Sequence, residues 1–277
     1  MNRYERVFST LRDKKEGAFI PFAVAGDPDL EKSEMILRAY IDSGADILEV
    51  GYPFSDPVAD GPLNQRGARR AIASGLKHSS FFRLMKKIRA VSDIPIGVLL
   101  YANSVHHPGY REFCRCAADS GIDSLLVADM PPEEHGPLGR EMKECGLARV
   151  FIVSELTPPQ RMRMICDNTD AFVYVVSRLG TTGVGMTPGE AVKKTLSELK
   201  TVTKLPLAVG FGISTAAHVR DVIEAGADAA IVGSALVKVI EDNLENPDSP
   251  GGLISKKVRE YKNATRTWRR NRKGAHV

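Results

Sequence analysis

No apolar run in this 277-residue sequence approaches the ~20 residues needed to cross a bilayer, so no membrane-spanning helix is expected. The opening residues, Met1-Asn2-Arg3-Tyr4-Glu5-Arg6, lack the apolar centre of a secretion signal, and the chain reads as a cytoplasmic enzyme. Cysteine is scarce. Cys114, Cys116, Cys145 and Cys166 are the only four, and none forms a C-x-x-C pair with metal-ligand spacing. They are expected as buried free thiols. No linker or shift in composition divides the chain, so residues 1–277 are expected to form one domain. Charge is nearly balanced at +4, but residues 256–277 hold nine Lys and Arg against one Glu, leaving the body mildly acidic. No nucleic-acid-binding motif accompanies that basic segment. It reads as a solvated helix face with a frayed end near 271–277, not as a nucleic-acid site.

What is present is a repeated phrase. Ser43-Gly44-Ala45-Asp46, Ser120-Gly121-Ile122-Asp123 and Ala225-Gly226-Ala227-Asp228 each precede a short apolar run. Asp93-Ile94-Pro95 and Lys204-Leu205-Pro206 introduce two more. Continuous apolar strands of this kind are buried on both faces, as in parallel sheets. Eight strands are expected, near residues 18, 47, 96, 124, 149, 171, 207 and 229. Helical patterns separate them, for example over 30–42, 79–91, 110–119 and 216–224. Residues 2–15 read as an additional amphipathic helix with Tyr4, Val7, Phe8 and Leu11 on one face. Eight βα units in about 250 residues predict an α/β fold, a (β/α)8 TIM barrel with an extra N-terminal helix. A doubly wound sheet is the alternative.

The barrel gives meaning to two carboxylates. Glu49 closes the strand 47–50, where an unpaired buried charge is costly. Asp60 sits in the Gly- and Pro-rich loop that follows, on the same face. In an apolar setting Glu49 would titrate in the range useful for general acid–base work. The structural alternative is that Glu49 pairs with a Lys or Arg and Asp60 is a solvated turn residue. Asp129 is expected to end the fourth strand, Tyr174 lies in the sixth, and Tyr101 follows the third. Three glycine-rich turns then close the sixth, seventh and eighth strands: 180–185, 210–214 and 233–235. Glycine turns opening onto a helix N-terminus favour a phosphate group.

The stretch Glu49-x-Gly51-x-Pro53-Phe54-Ser55-Asp56-Pro57-x-Ala59-Asp60-Gly61-Pro62 resembles the tryptophan synthase α-subunit family. So do Pro21-Phe22, Gly26-Asp27-Pro28, Tyr101-Ala102-Asn103, Ser177-Arg178-x-Gly180, Thr182-Gly183, Gly210-Phe211-Gly212-Ile213 and Gly233-Ser234. The resemblance covers most of the chain. It implies a lyase of tryptophan biosynthesis that cleaves indole-3-glycerol phosphate to indole and glyceraldehyde 3-phosphate. Indole then passes to a β subunit in an α2β2 assembly. No cofactor or metal is expected in this chain; pyridoxal phosphate belongs to the β partner. Glu49 and Asp60 match the catalytic positions, with Tyr174 placed to help. Phe22, Leu99, Tyr101, Ala128, Ile152, Thr182, Gly183, Phe211, Gly212, Ile213, Gly233 and Ser234 are the expected substrate-binding residues. Loops 53–62 and 178–189 are the expected lids. Tyr52, Asn64, Gly67, Ser104 to His107 and Thr181 depart from the family pattern. His106-His107 reads as surface loop. Two other functions compete: a different phosphate-binding barrel, such as an isomerase or epimerase, and a non-catalytic regulatory partner of a β subunit.

Overall fold

The structure is a computed structural model and describes residues 1–176, 188–210, 212–244 and 249–266. Its strands are β1 (Ala18–Val24), β2 (Leu48–Gly51), β3 (Ile96–Leu100), β4 (Ser124–Val127), β5 (Ala148–Arg149), β6 (Phe151–Ser154), β7 (Val173–Val176), β8 (Leu207–Gly210) and β9 (Ala229–Val232). All pair in parallel, in the order β5-β4-β3-β2-β1-β9-β8-β7-β6. The two ends of that order, β5 and β6, are one strand interrupted at Val150. Its first half pairs with β4 and its second with β7, and the Val150 amide donates to the Leu125 carbonyl at 3.1 Å. The sheet therefore closes into an eight-stranded barrel, and the doubly wound alternative is overturned.

Helices cover the outside: α1 (Arg3–Lys14), α2 (Leu30–Asp42), α3 (Pro62–Ala73), α4 (His78–Arg89), α5 (Ala102–His106), α6 (Tyr110–Asp119), α7 (Gly136–Glu144), α8 (Pro159–Asn168), α9 (Pro188–Val202), α10 (Ala216–Glu224), α11 (Ser234–Glu241) and α12 (Ser249–Ala264). Helix α1 is the exception among them: it packs on the interior cluster and not on the outer face of the strands. Asn2 caps it and Glu5 returns the bond, a capping box. Tyr4, Phe8 and Leu11 then join Ala18, Ile20, Ile47, Leu126, Phe172 and Ile231 in one cluster, and the Tyr4 hydroxyl meets Ser124 Oγ at 2.6 Å.

The repeated Gly-x-Asp phrase is a staple. Gly44, Gly121 and Gly226 end their helices at φ +97°, +78° and +106°, values that favour glycine. The aspartate that follows accepts an N–H from the first or second residue of the preceding strand. Asp46 takes Phe19 N at 2.7 Å, Asp123 takes Ile96 N at 2.8 Å, and Asp228 takes Leu207 N at 2.9 Å. Each bond satisfies an N–H that the staggered sheet leaves open.

Three expectations change. Lys262, in the basic segment, is not solvated: it is buried, bonding Asp46 at 2.8 and 3.0 Å and lying 3.9 Å from Glu16. Asp129 does not end β4 but lies two residues beyond it, accepting from Ala102 N at 2.7 Å. Of the cysteines, only Cys114 and Cys166 are buried; Cys116 and Cys145 are half-buried free thiols. The tail 271–277 lies outside the described residues.

Candidate active site

Glu49 is the second residue of β2, not its last, and it points into the barrel. Its neighbours Leu48 and Val50 join the outer core between strands and helices, while Glu49 faces the interior by strand alternation. It is 6% exposed, and no ion pair or hydrogen bond from the described residues reaches it. Among the described residues, the Lys or Arg partner of the structural alternative is thus missing. Burial, aided by the nearby charge of Asp60, pushes its carboxyl up to about 8. At neutral pH it is mostly protonated.

Asp60 differs in kind. It is half-buried, just before Gly61, the N-cap of α3, whose N-terminus favours an anion. The Tyr101 hydroxyl donates to its Oδ2 at 2.8 Å and Asn64 Nδ2 donates to its Oδ1 at 3.1 Å. Gln65 Nε2 donates to its carbonyl at 2.9 Å. Tyr101 also accepts from Ala59 N at 3.1 Å and stacks on Phe54 with centroids 5.4 Å apart. One phenol therefore holds the 53–62 loop over the barrel mouth. The loop leaves Val58 81% exposed at its crest.

A cavity of about 100 Å³ opens between the two carboxylates. It is lined by Glu49, Asp60, Tyr174, Phe22, Leu99, Gly212, Ile213, Gly233 and Ser234, all expected from sequence. Gly61, Asn64 and Ile231 line it too. Sequence reasoning missed Gly61 and Ile231 as lining, and read Asn64 only as a departure. The alternation of β9 would have placed Ile231 inward. Tyr101 reaches the cavity through Asp60. Ala128 and Ile152 are not among its lining residues, although both pack on the interior cluster that holds Tyr174 and Leu126. Thr182, Gly183, Phe211 and most of the 178–189 loop lie outside the described residues.

The two ends of the cavity suit different chemistry. Phe22 lies on the glycines of its neighbours: a Cβ at Gly51 would stand 2.7 Å from Phe22 Cζ, and one at Gly233 would stand 3.5 Å from Phe22 Cδ1. A Cβ at Gly210 would collide with the Tyr174 hydroxyl. These glycines leave room for the two rings. Burial, with Glu49 and Asp60 close by, holds the Tyr174 phenol well above its ordinary value, so it stays neutral. At the other end α11 starts at Ser234; Leu236 N and Val237 N donate to the Gly233 carbonyl, and the N–H groups of Ser234 and Ala235 are left open to an anion. Gly212 faces it at φ +73°, a turn that favours glycine.

Ion pairs tie the two ends together. Arg70 of α3 makes a two-bond fork with buried Asp27 at 2.7 and 2.9 Å, and a third bond to Glu241 of α11 at 2.5 Å. Arg66 also bonds Glu241, at 2.8 Å. Gly67 is explained here, since a Cβ there would sit 2.8 Å from Asp27 Oδ2. Tyr52 is explained as well: its hydroxyl meets His78 Nδ1 at 3.1 Å and its ring packs on Phe81 and Phe113. His106 and His107 are exposed. Among the described residues no cluster of three or more His, Cys, Asp or Glu has metal-binding geometry, and no helix is long and apolar enough to cross a membrane.

With this geometry in view, comparison with known proteins gives one answer. The model of the tryptophan synthase alpha chain family matches residues 8–266. The tryptophan synthase alpha chain of Methanoregula boonei is 45% identical over 249 residues, covering 90% of this chain and 93% of that protein. That of Escherichia coli is 40% identical over 268 residues, covering 96% and 100%. The crystal structure of tryptophan synthase subunit alpha from Legionella pneumophila is similar with TM-score 0.87 at 29% identity, covering 96% of this chain and 98% of that one. With nearly its whole length matched, the chain belongs to the tryptophan synthase alpha chain family.

Proposed function

We propose that this cavity cleaves indole-3-glycerol phosphate to indole and glyceraldehyde 3-phosphate, with Glu49 moving the protons. The observation that carries this is the buried Glu49, unpaired among the described residues, held protonated at neutral pH and sharing with Asp60 a cavity lined by Phe22, Leu99 and Ile231. The family membership supports the same reaction.

The steps balance on these two residues. Protonated Glu49 gives its proton to C3 of the indole ring, and the ring nitrogen becomes a cationic imine. Asp60 accepts the ring N–H and stabilises the positive charge that develops there. Glu49, now a carboxylate, takes the proton of the hydroxyl on the carbon attached to C3. That oxygen forms the aldehyde, the carbon–carbon bond breaks, and its electron pair restores the aromatic ring. Glu49 ends protonated, ready for the next turnover.

Phe22, Leu99 and Ile231 hold the ring, and the neutral Tyr174 phenol borders Glu49. Gly212, Gly233, Ser234 and the α11 N-terminus take the phosphate with Gly183, Thr182 is a further expected substrate contact, and Phe211 is expected with the ring. The chain works as one barrel domain with a tryptophan synthase β subunit. We place it in a cytoplasmic α2β2 assembly whose β subunit carries pyridoxal phosphate and receives the indole. The isomerase or epimerase alternative offers no role for Asp60. The regulatory alternative offers none for the raised Glu49.

The test is indole release by the parent and by Glu49→Gln, with and without a β subunit. General acid–base groups contribute ~10²–10⁴-fold. Glu49 serves two proton transfers, so a loss of about 10⁴-fold is expected while ligand binding survives. Turnover by Glu49→Gln close to the parent's rate overturns the assignment.

A further inference from the structure

Asn64 stands apart from the other residues of the cavity. It is the third residue of α3, and helical side chains lean back toward the helix N-terminus. Its amide N–H thereby reaches Asp60 Oδ1, four residues earlier, at 3.1 Å. Its amide oxygen is shut off from water and accepts no hydrogen bond from the described residues. A buried acceptor without a partner costs stability. Turning the amide over would set that oxygen against the Asp60 carboxylate, which is worse. Among the described residues the Asn64 side chain thus makes a single hydrogen bond, to Asp60, at a cost to the fold.

The two oxygens of Asp60 are held separately, Oδ2 by Tyr101 and Oδ1 by Asn64. One donor leaves a carboxylate free to rotate about its Cβ–Cγ bond; two donors on different oxygens fix its plane. We propose that Asn64 is a positioning residue for the cleavage: it locks the plane of the Asp60 carboxylate so that a remaining lone pair meets the ring N–H. This rests on the reading of Asp60 given above. Losing a charge-assisted bond that orients a reacting group lowers the rate more than the affinity. The cost of a mis-set acceptor falls where charge develops, on the ring nitrogen during protonation of C3.

The experiment is a double-mutant cycle in the full-length protein. Asn64→Leu and Asn64→Ala are each combined with Asp60→Asn, with thermal unfolding as the check on folding. Each single variant is expected to lose about tenfold in kcat/KM for indole release, mostly in kcat. Within the Asp60→Asn background the same change is expected to add less than twofold. In parallel, calorimetry compares 3-(indol-3-yl)propyl phosphate with its N-methyl counterpart. The parent prefers the N–H ligand severalfold, and both Asn64 variants reduce that preference below twofold. A loss that persists undiminished in the Asp60→Asn background overturns the proposal, as does an unchanged N–H preference. A parent that releases no indole overturns the reading of the site instead, and the calorimetric comparison still decides the role of Asn64.

Discussion

Glu49→Gln should make the protein more stable relative to its parent as pH rises. Folding lifts the Glu49 carboxyl from 4.5 to about 8, because burial penalises the charged form. The native state then holds this proton more tightly than the unfolded chain. Below pH 4.5 both states are protonated and no penalty exists. Above that value the unfolded chain ionises while the native one resists, so stability falls, and the penalty is complete above pH 8. At 1.36 kcal/mol per unit, the difference between pH 5 and pH 9 is about 4 kcal/mol. Relaxation and water entry reduce this, and ~2–4 kcal/mol is expected. Gln fills nearly the same space and never ionises. Urea unfolding of both proteins across pH 5–9 measures the gap between their stability curves. It should be small at pH 5 and widen in favour of Glu49→Gln by pH 9. Parallel curves would refute the raised carboxyl, and with it the reason for assigning the proton to this residue.

Other consequences are equally direct. Gly212→Asp strains a backbone at φ +73° and places a carboxylate where the phosphate is assigned. Affinity for inorganic phosphate or a phosphorylated indole analogue should fall at least tenfold by calorimetry. Lys262→Met leaves the partly buried Asp46 without its cation. Breaking one side of a buried pair costs ~3–5 kcal/mol, and urea unfolding should register a loss near 3 kcal/mol. Deleting Asn271 to Val277 should leave indole release within about twofold. The full-length protein should show no salt-sensitive binding to duplex DNA in a gel-shift assay at physiological ionic strength.

The sequence by itself determined the elements and their kind. Continuous apolar runs, period-3.6 hydrophobicity, helix-ending glycines and prolines before strands act within a few residues. They located eight strand positions and, at 30–42, 110–119 and 216–224, helix bounds that match α2, α6 and α10. The phrase around Glu49 and Asp60 made the candidate site legible, because its residues are contiguous. What only the tertiary structure decided depends on groups far apart in the chain. The repeated Asp is visible as a pattern, but its role as a staple needs the neighbouring strand. Lys262 reads as a surface cation until Asp46, 216 positions away, is brought beside it. Ala128 and Ile152 carry the right apolar character for the pocket, yet the cavity is lined from β1, β2, β3, β7 and β9, and these two belong to β6 and the end of β4. Asn64 looks like a helix-surface residue until the fold seats α3 over the cavity. The pKa of Glu49 is set by the water excluded by Phe22, Leu99, Tyr174 and Ile231, which come from four other strands. Burial is a property of the closed barrel, and no single segment encodes it.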